Sequence, residues 1–315
     1  MVVMNRVVAL SDKAHRMINT DDFRRIMEET EGGLLAYAPA KLNITLRIGA
    51  TERETGLHKI SSVMQAVGSI GLCDEIVLRK FSIREGSEEK AEGHSIIKDN
   101  IMERALRELS SEARQKLPCR ITLYEKNIPI AAGLGGGSSD AAAVLRLANR
   151  AFGLRMTTMQ LDTVAQRVGN DVAFLLRGGR ALVEGAKAHT ITPMGSRDLY
   201  YLIVRPDVLL NTERMYGLFD QRREMLSDLG YENDFTRLAF EISPETEKVL
   251  SLIRYLGGAV ENGITGKGPT VFAGYNTIDE CEDARAELFR GVGYHRGAGT
   301  GMNVYIARSV GPFID

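Results

Sequence analysis

The sequence predicts an α+β protein of two domains. At 315 residues the chain is longer than one typical domain. Segments that alternate apolar and polar residues, as strands do, are interleaved with segments of helical period. Hydrophobic residues make up 44% and charged residues 26%, which is typical of a globular protein. We expect residues 34–195 to form the first domain, residues 196–315 the second, and residues 1–33 an N-terminal extension.

The elements of the first domain follow from residue period and turn signals. Residues 34–48 alternate around Pro39 as a strand, and residues 55–70 are interpreted as a helix-like or irregular apolar segment. Gly153 and Gly169 are placed to end two helices. The remaining predictions are a short helix from Phe23 to Met27 capped by Asp21, strands at 74–83, 119–125, 180–184 and 188–192, an exposed turn at 84–95, and helices at 100–109, 140–152 and 158–168.

The second domain opens with a strand at 199–204, ended by Pro206. The segment 221–241 is highly charged and is left unassigned. Ser243 as N-cap and a proline after it begin a helix of residues 244–256. A second glycine loop at 263–269 leads into a strand at 270–275, and a capping box of Thr277 and Glu280 begins a helix that ends near residue 290.

The run from Pro129 to Ser139 carries the clearest functional signal. Four glycines lead into two serines, and an alanine- and leucine-rich helical segment follows at once. Glycine permits positive φ angles, successive backbone N–H groups form an anion-binding concavity, and a helix N-terminus adds further donors. A plain surface turn does not explain the apolar Ile128 and Ile130 before the run or the helix after it. The run therefore predicts a phosphate loop, although not the lysine-bearing or dinucleotide type.

Composition excludes several classes of function. A formal net charge of −1, no Trp and 6% aromatic residues argue against a nucleic-acid partner. No apolar run approaches the ~18 residues of a membrane span. The cysteines Cys73, Cys119 and Cys281 lack CxxC spacing, which is typical of free thiols in a reducing compartment. Acidic residues within the first 33 argue against a targeting peptide, so the expected location is the cytoplasm.

Several short motifs occur in a fixed order along the chain. They are Pro39-Ala-Lys-Leu-Asn43, Gly56-Leu-His58, Asp99-Asn100, the loop 129–139, Gly169-Asn-Asp-Val172 and Gly266-Lys-Gly-Pro-Thr-Val-Phe272. Over residues 35–275 this order resembles the GHMP kinases, which act on galactose, homoserine, mevalonate and phosphomevalonate. It is most similar to the 4-diphosphocytidyl-2-C-methyl-D-erythritol kinases of non-mevalonate isoprenoid biosynthesis. The resemblance implies a GHMP-kinase-like fold, with an N-terminal ATP-binding domain and a C-terminal ferredoxin-like α+β domain.

The resemblance also implies the catalytic residues. Asp171 matches the family's general base, and Lys41 matches the lysine beside that base and the transferred phosphate. Taken alone, Asp171 could be a capping residue and Lys41 a solvated one. A cation at Lys41 would keep the carboxylate ionised and offset charge on the phosphoryl oxygens.

ATP and Mg²⁺ are the implied cofactors. The metal would lie near Ser138 or Ser139 and be held mostly through ATP oxygens and water. The residues implied to bind ATP are Pro129, Ala131, Ala132, Gly133, Leu134, Gly135, Gly136, Gly137, Ser138, Ser139 and Asn100.

The implied partner is a small-molecule alcohol, taken by a monomer or homodimer. Asn43 and His58 match positions that hold the cytidine-bearing substrate, and Tyr216 matches an aromatic residue that stacks on cytosine. Gly266 and Gly268 would close over the site. The structural alternatives are a buried His58, a core Tyr216 and an ordinary β-turn at the second loop.

Three positions depart from the family pattern. Leu57 stands where tyrosine is usual, Lys267 replaces a small polar residue, and Asn170 replaces a small one. Two alternatives therefore stay open. One is another GHMP kinase acting on a mevalonate-like, sugar or amino-alcohol acceptor, and the other is a non-catalytic ligand-sensing protein of the same fold.

Overall fold

The computed structural model describes residues 27–30, 33–80, 100–186, 189–195, 197–226, 230–291 and 302–313. Their strands are β1 (Met27–Thr30), β2 (Gly33–Asn43), β3 (Arg47–Thr51), β4 (His58–Gly68), β5 (Cys73–Lys80), β6 (Cys119–Glu125), β7 (Arg180–Gly185), β8 (His189–Pro193), β9 (Tyr200–Pro206), β10 (Glu261–Ile264), β11 (Val271–Tyr275) and β12 (Met302–Ser309). Their α-helices are α1 (Ile101–Ala113), α2 (Gly136–Ala151), α3 (Thr158–Val168), α4 (Asn170–Arg177), α5 (Thr212–Leu226), α6 (Thr236–Ile242), α7 (Pro244–Leu256) and α8 (Ile278–Gly291).

The strands form one antiparallel sheet that runs through both halves of the chain. Its order is β10-β11-β9-β12-β4-β2-β5-β6, with β1 on β2, β3 and β7 on β4, and β8 on β7. The junction between the halves is β12. It pairs with β9 over residues 302–308 and reaches β4 at Arg308 and Ser309.

Three apolar cores lie against this sheet, and the third is formed by strand residues of both halves together with residues at the first glycine loop. In the first, helices α1 to α4 cover strands of the first half. The alanines of α2 are buried there, and their small side chains let the helix lie close to β2 and β5. The second core packs α5 to α8 on β9 and β11. Val310 and Phe313, near the end of the chain, pack on the first core. The α+β fold class is confirmed, and the boundary near residue 195 stays a prediction.

The structure corrects several element predictions. Residues 58–68 are not helix-like but form β4, which pairs with four other strands and is largely buried, so its sequence lacks the alternation of a half-exposed strand. The strand predicted at 34–48 ends at Asn43, and a separate strand begins at Arg47. The loop helix begins at Gly136 rather than Asp140.

The remaining differences lie in the second half and at the ends of the described ranges. Gly263 and Ile264 belong to β10 rather than to the glycine loop. The unassigned segment 221–241 contributes to α5 and α6. The turn at 84–95, Asp99 and most of the helix expected from Phe23 to Met27 lie outside the described residues, although Met27 begins β1.

Candidate active site

The first glycine loop leads directly into the N-terminus of α2. Ala131, Gly133 and Gly135 all have positive φ angles, of 58°, 77° and 70°. Gly135 is the N-cap of α2. The first amide groups of a helix have no partner inside it, so those at the start of α2 are free to face an anion. The loop has the backbone form of the predicted phosphate loop.

The second glycine loop packs directly on the first. A Cβ on Gly133 would lie 2.6 Å from the carbonyl oxygen of Thr265, so only glycine fits there. The Thr265 hydroxyl donates to the Gly133 carbonyl at 3.3 Å. The same hydroxyl accepts a hydrogen bond from the backbone N–H of Asn43 at 2.9 Å. Gly266 and Gly268 have φ angles of 57° and 80°. The two loops and β2 thus meet at one place.

Lys41 and Asp171 come together beside these loops. The Lys41 ammonium lies 3.5 Å from the Asp171 carboxylate, and their side chains are 6% and 28% exposed. Lys41 lies on interior strand β2, where its amide donates to the Leu134 carbonyl at 2.9 Å. Asp171 is in the first turn of α4, whose N-cap is Gly169. Lys41 is therefore not a solvated surface residue, and Asp171 does not occupy the N-cap position.

Asn43 holds the ammonium of Lys41. The two residues are two apart on a strand and so share one face of the sheet. The Lys41 Nζ donates to Asn43 Oδ1 at 2.5 Å, while Asn43 Nδ2 donates to the Ser62 hydroxyl at 2.8 Å. Both ends of the buried Asn43 amide are thus engaged within the protein.

Asn100 lies at the start of α1, next to the first loop. Its Oδ1 accepts from the Met102 amide at 3.0 Å, which makes it the N-cap. The neighbouring Ile101 side chain approaches Gly137 and Gly169. Asn100 is therefore placed beside both the phosphate loop and the helix that carries Asp171.

His58 and Tyr216 are stacked on each other. Their ring centroids are 5.1 Å apart with an interplanar angle of 17°, and Tyr216 also packs edge-on against Phe235. The His58 Nε2 lies 3.2 Å from Asp220, and its Nδ1 lies 3.4 Å from Arg223. With 11% of its side chain exposed, His58 is largely buried.

The surroundings of Tyr216 raise its pKa. Burial raises the pKa of Tyr216, and the negative charge of Asp171 adds to the rise.

Asn233 holds the second loop, and the sequence analysis did not find it. Its side-chain amide donates to the carbonyls of Gly266 at 2.8 Å and Ile264 at 3.0 Å. Asn233 lies in the charged segment that could not be assigned, and no local signal marks it.

An ionic cluster beneath the first loop, made of two buried aspartates and a partly exposed lysine, was also missed. Lys126 lies between Asp74 and Asp140. Burial, and then the charge of Asp74, raise the pKa of Asp140 to about 7. A lysine three residues before the loop proline was the only hint of this cluster in the sequence.

Two serines differ as possible metal contacts. The Ser139 hydroxyl is fully buried and has no hydrogen-bond partner within the described ranges, whereas Ser138 is half-buried. Among those residues, no three His, Cys, Asp or Glu side chains form a group that could hold a metal. An orphaned hydroxyl at this helix start fits a metal held mainly by other ligands.

No helix in the described part of the chain is long and apolar enough to cross a membrane.

Comparison with known proteins shows which sequences this chain is similar to. Residues 100–179 match the model of the GHMP kinases N terminal domain. The chain is 31% identical over 272 residues to the 4-diphosphocytidyl-2-C-methyl-D-erythritol kinase of Caldanaerobacter subterraneus subsp. tengcongensis, covering 80% of this chain and 91% of that protein. It is 31% identical over 278 residues to the enzyme of the same name from Desulfitobacterium hafniense, covering 82% and 92%.

Solved structures show the same fold. A 4-(cytidine 5'-diphospho)-2C-methyl-D-erythritol kinase aligns with a TM-score of 0.65 at 24% identity, covering 87% of this chain and 98% of that one. The homoserine kinase of Cytophaga hutchinsonii aligns with a TM-score of 0.64 at 18% identity, covering 90% and 98%.

Proposed function

This chain belongs to the 4-diphosphocytidyl-2-C-methyl-D-erythritol kinase family, and we propose that it phosphorylates the hydroxyl of that cytidine-bearing alcohol with ATP. It is a phosphotransferase of the GHMP type with an alcohol group as acceptor. Enzymes of this family act in non-mevalonate isoprenoid biosynthesis, and we assign this chain to the same pathway.

The observation that carries the proposal is the meeting of Lys41 and Asp171 beside two glycine loops. In the proposed step the acceptor oxygen attacks the γ-phosphorus of ATP, and its proton passes to the Asp171 carboxylate. The bond from the γ-phosphorus to the β–γ bridging oxygen breaks, and its electron pair stays on ADP. The Lys41 ammonium offsets charge on the transferred phosphoryl oxygens.

The glycine loop supplies the nucleotide side of the proposed site. Amides of residues 133–138 would hold the triphosphate, with Asn100 at their border. Mg²⁺, when bound, would neutralise charge on the phosphates. Ser138 and Ser139 are its candidate protein neighbours, and the orphaned hydroxyl favours Ser139.

The acceptor side is proposed to include the His58–Tyr216 stack. Gly266 and Gly268, on the loop that packs against Gly133, would close this side. Asn43 has both ends of its amide engaged, so its proposed contribution is to hold Lys41 in place.

The direct test is phosphate transfer by the purified chain. With ATP, Mg²⁺ and 4-diphosphocytidyl-2-C-methyl-D-erythritol, we expect ADP and one phosphorylated product. Asp171→Asn should lower kcat about 10²–10⁴-fold, the range for loss of a general base, while ATP still binds. Asp279→Asn is the matched control, because Asp279 is an exposed aspartate in the first turn of α8. Full activity of Asp171→Asn would refute the assigned base.

One observation favours a second candidate. Leu57 is 42% exposed at the position where the family usually has tyrosine, so the surface offered to a nucleobase there is aliphatic. A GHMP kinase for a mevalonate-like, sugar or amino-alcohol acceptor would turn over such a substrate and leave the cytidine compound unchanged. Nucleotide binding with no ADP release on any alcohol would instead indicate a ligand-sensing protein.

The proposed location is the cytoplasm, and the proposed assembly is a monomer or homodimer. Cys73, Cys119 and Cys281 are free thiols, which are typical of proteins in a reducing compartment.

A further inference from the structure

Three charged side chains, two buried aspartates and a partly exposed lysine, meet beneath the first glycine loop. Lys126 directly contacts Asp74 on β5 and lies 3.0 Å from Asp140 in the first turns of α2. Asp74 is completely buried, and Asp140 is 4% exposed. The phosphate transfer described above makes no use of these groups.

Stability alone does not explain this cluster. Two carboxylates have been removed from water and are paired only with a lysine whose side chain is 28% exposed, and apolar side chains of similar size would often be neutral or stabilising in their place. One oxygen of Asp140 has no hydrogen-bond partner in the described part of the chain. A cluster that costs free energy of folding calls for a role in the site beside it.

The cluster fixes the beginning of the loop. Asp74 Oδ1 accepts hydrogen bonds from the amides of Asn127 at 2.7 Å and Ile128 at 2.8 Å. The Asn127 side chain donates to the Cys73 carbonyl at 2.9 Å. The two residues that precede Pro129 are therefore tied to β5 through main chain and side chain.

The cluster also fixes the end of the loop. Asp140 belongs to α2, and Lys126 bridges it to Asp74. The Lys126 ammonium lies 2.9 Å from the point where a Cβ on Gly136 would stand, so it packs against the first residue of α2. The segment between these ends contains three residues with positive φ, a backbone form that needs support from its surroundings.

We propose that Asp74, Lys126 and Asp140 are positioning residues for ATP, which hold both ends of the phosphate loop and so set where its amide groups lie. The inference rests on the proposed function only in that this loop binds the triphosphate. A loop that is already ordered loses less conformational entropy on binding. The cluster of Asp74, Lys126 and Asp140 therefore increases the affinity for ATP without contacting the nucleotide.

The test is a charge-free triple variant, Asp74→Asn with Lys126→Met and Asp140→Asn. Asn keeps an oxygen for the amides of residues 127 and 128, and side-chain volumes hardly change. The probe is the β,γ-imido analogue of ATP with Mg²⁺, titrated calorimetrically without acceptor. We expect its Kd to rise at least tenfold, and KM for ATP to rise with it, while kcat and KM for the alcohol stay within threefold. If the cluster had only a structural role, the triple variant would show a lower Tm and a smaller fraction of active protein, but its KM for ATP would be unchanged.

Further variants keep the test decisive. Asp140→Asn alone retains the Lys126–Asp74 pair, and its Kd should rise threefold or more even if the triple variant does not fold. Lys126→Arg keeps the bridging charge and should bind the analogue within threefold of wild type. A control that neutralises another buried ion pair, Arg180→Met with Glu261→Gln, should leave Kd unchanged.

A wild-type Kd in either the triple variant or Asp140→Asn overturns the proposal. Because binding is measured without any alcohol, this result does not depend on which acceptor the enzyme uses. A failure to phosphorylate the cytidine compound would refute the proposed function but would not contradict the positioning role of the cluster.

Discussion

Lys41 shows how much of the site depends on single side chains. Lysine is almost never fully buried unless its charge is paired, and Lys41 is 4% exposed. Its ammonium is held by Asn43 Oδ1 and faces Asp171. The resemblance of the motif implied a catalytic role for Lys41 and a substrate-binding role for Asn43. Their role as mutual partners could not be predicted, because Ser62, which orients Asn43, lies on another strand.

Position 57 gives a prediction at the same scale. Leu57→Tyr places an aromatic ring beside the His58–Tyr216 stack, and an aromatic pair contributes about 1 kcal/mol beyond area burial. We therefore expect KM for the cytidine-bearing acceptor to fall about fivefold while KM for ATP is unchanged. Steady-state kinetics with each substrate varied in turn measures both values.

Leu57→Ile is the control for size and exposure, and it should match wild type. If Leu57→Tyr leaves KM for the acceptor unchanged, position 57 does not face the cytosine of that acceptor.

At the scale of elements, prediction succeeded where a segment carries its own boundary signals. Helix α3 runs over the predicted residues because Thr157 and Gln160 form a capping box and Gly169 follows the last turn. Helix α7 likewise begins after Ser243. Strand β4 was misassigned because most of its residues are buried, which removes the alternation that marks a half-exposed strand.

The contact between the two glycine loops predicts the effect of Gly133→Ala. Both Gly133 and Gly153 have positive φ, at 77° and 60°, and left-handed backbone costs a non-glycine residue about 1–2 kcal/mol. A Cβ at Gly153 meets nothing within 4 Å, whereas one at Gly133 meets the backbone carbonyl of Thr265 at 2.6 Å. Gly133→Ala should therefore lose more stability than Gly153→Ala and should also raise KM for ATP.

Thermal unfolding and ATP kinetics of the two variants separate backbone strain from the loop contact. Equal Tm losses with an unchanged KM for ATP in both variants would show that the loops do not support each other.

At the scale of the whole molecule, one sheet runs along three apolar cores. The interleaved strand and helix patterns of the sequence were enough to predict the α+β class, and the division into two domains stays a prediction. The sequence did not predict β12, although this strand links β9 to β4. The pairing of a strand with partners 100 or more residues away is set by the complete fold, so no local pattern reveals it. Asn233 was missed for the same reason, since its partners Ile264 and Gly266 are far along the chain.

A buried ion pair across this sheet gives the last prediction. Arg180 on β7 forms two hydrogen bonds with Glu261 on β10, at 2.9 and 3.0 Å, and the Tyr201 hydroxyl donates to the same carboxylate at 2.7 Å. The side chains of Arg180 and Glu261 are 9% and 10% exposed. Removing one partner leaves a buried charge alone, which costs about 3–5 kcal/mol, whereas removing both charges costs far less.

Glu261→Gln should therefore lower the free energy of unfolding by several kcal/mol, and adding Arg180→Met should recover most of that loss. Urea unfolding of the two single variants, the double variant and wild type gives the coupling between the residues. Strands β7 and β10 come from different halves of the chain. A single unfolding transition that Glu261→Gln moves to a lower urea concentration would therefore show that both halves unfold together. Additive losses in the double variant, or two separate transitions, would show instead that the pair does not couple the halves.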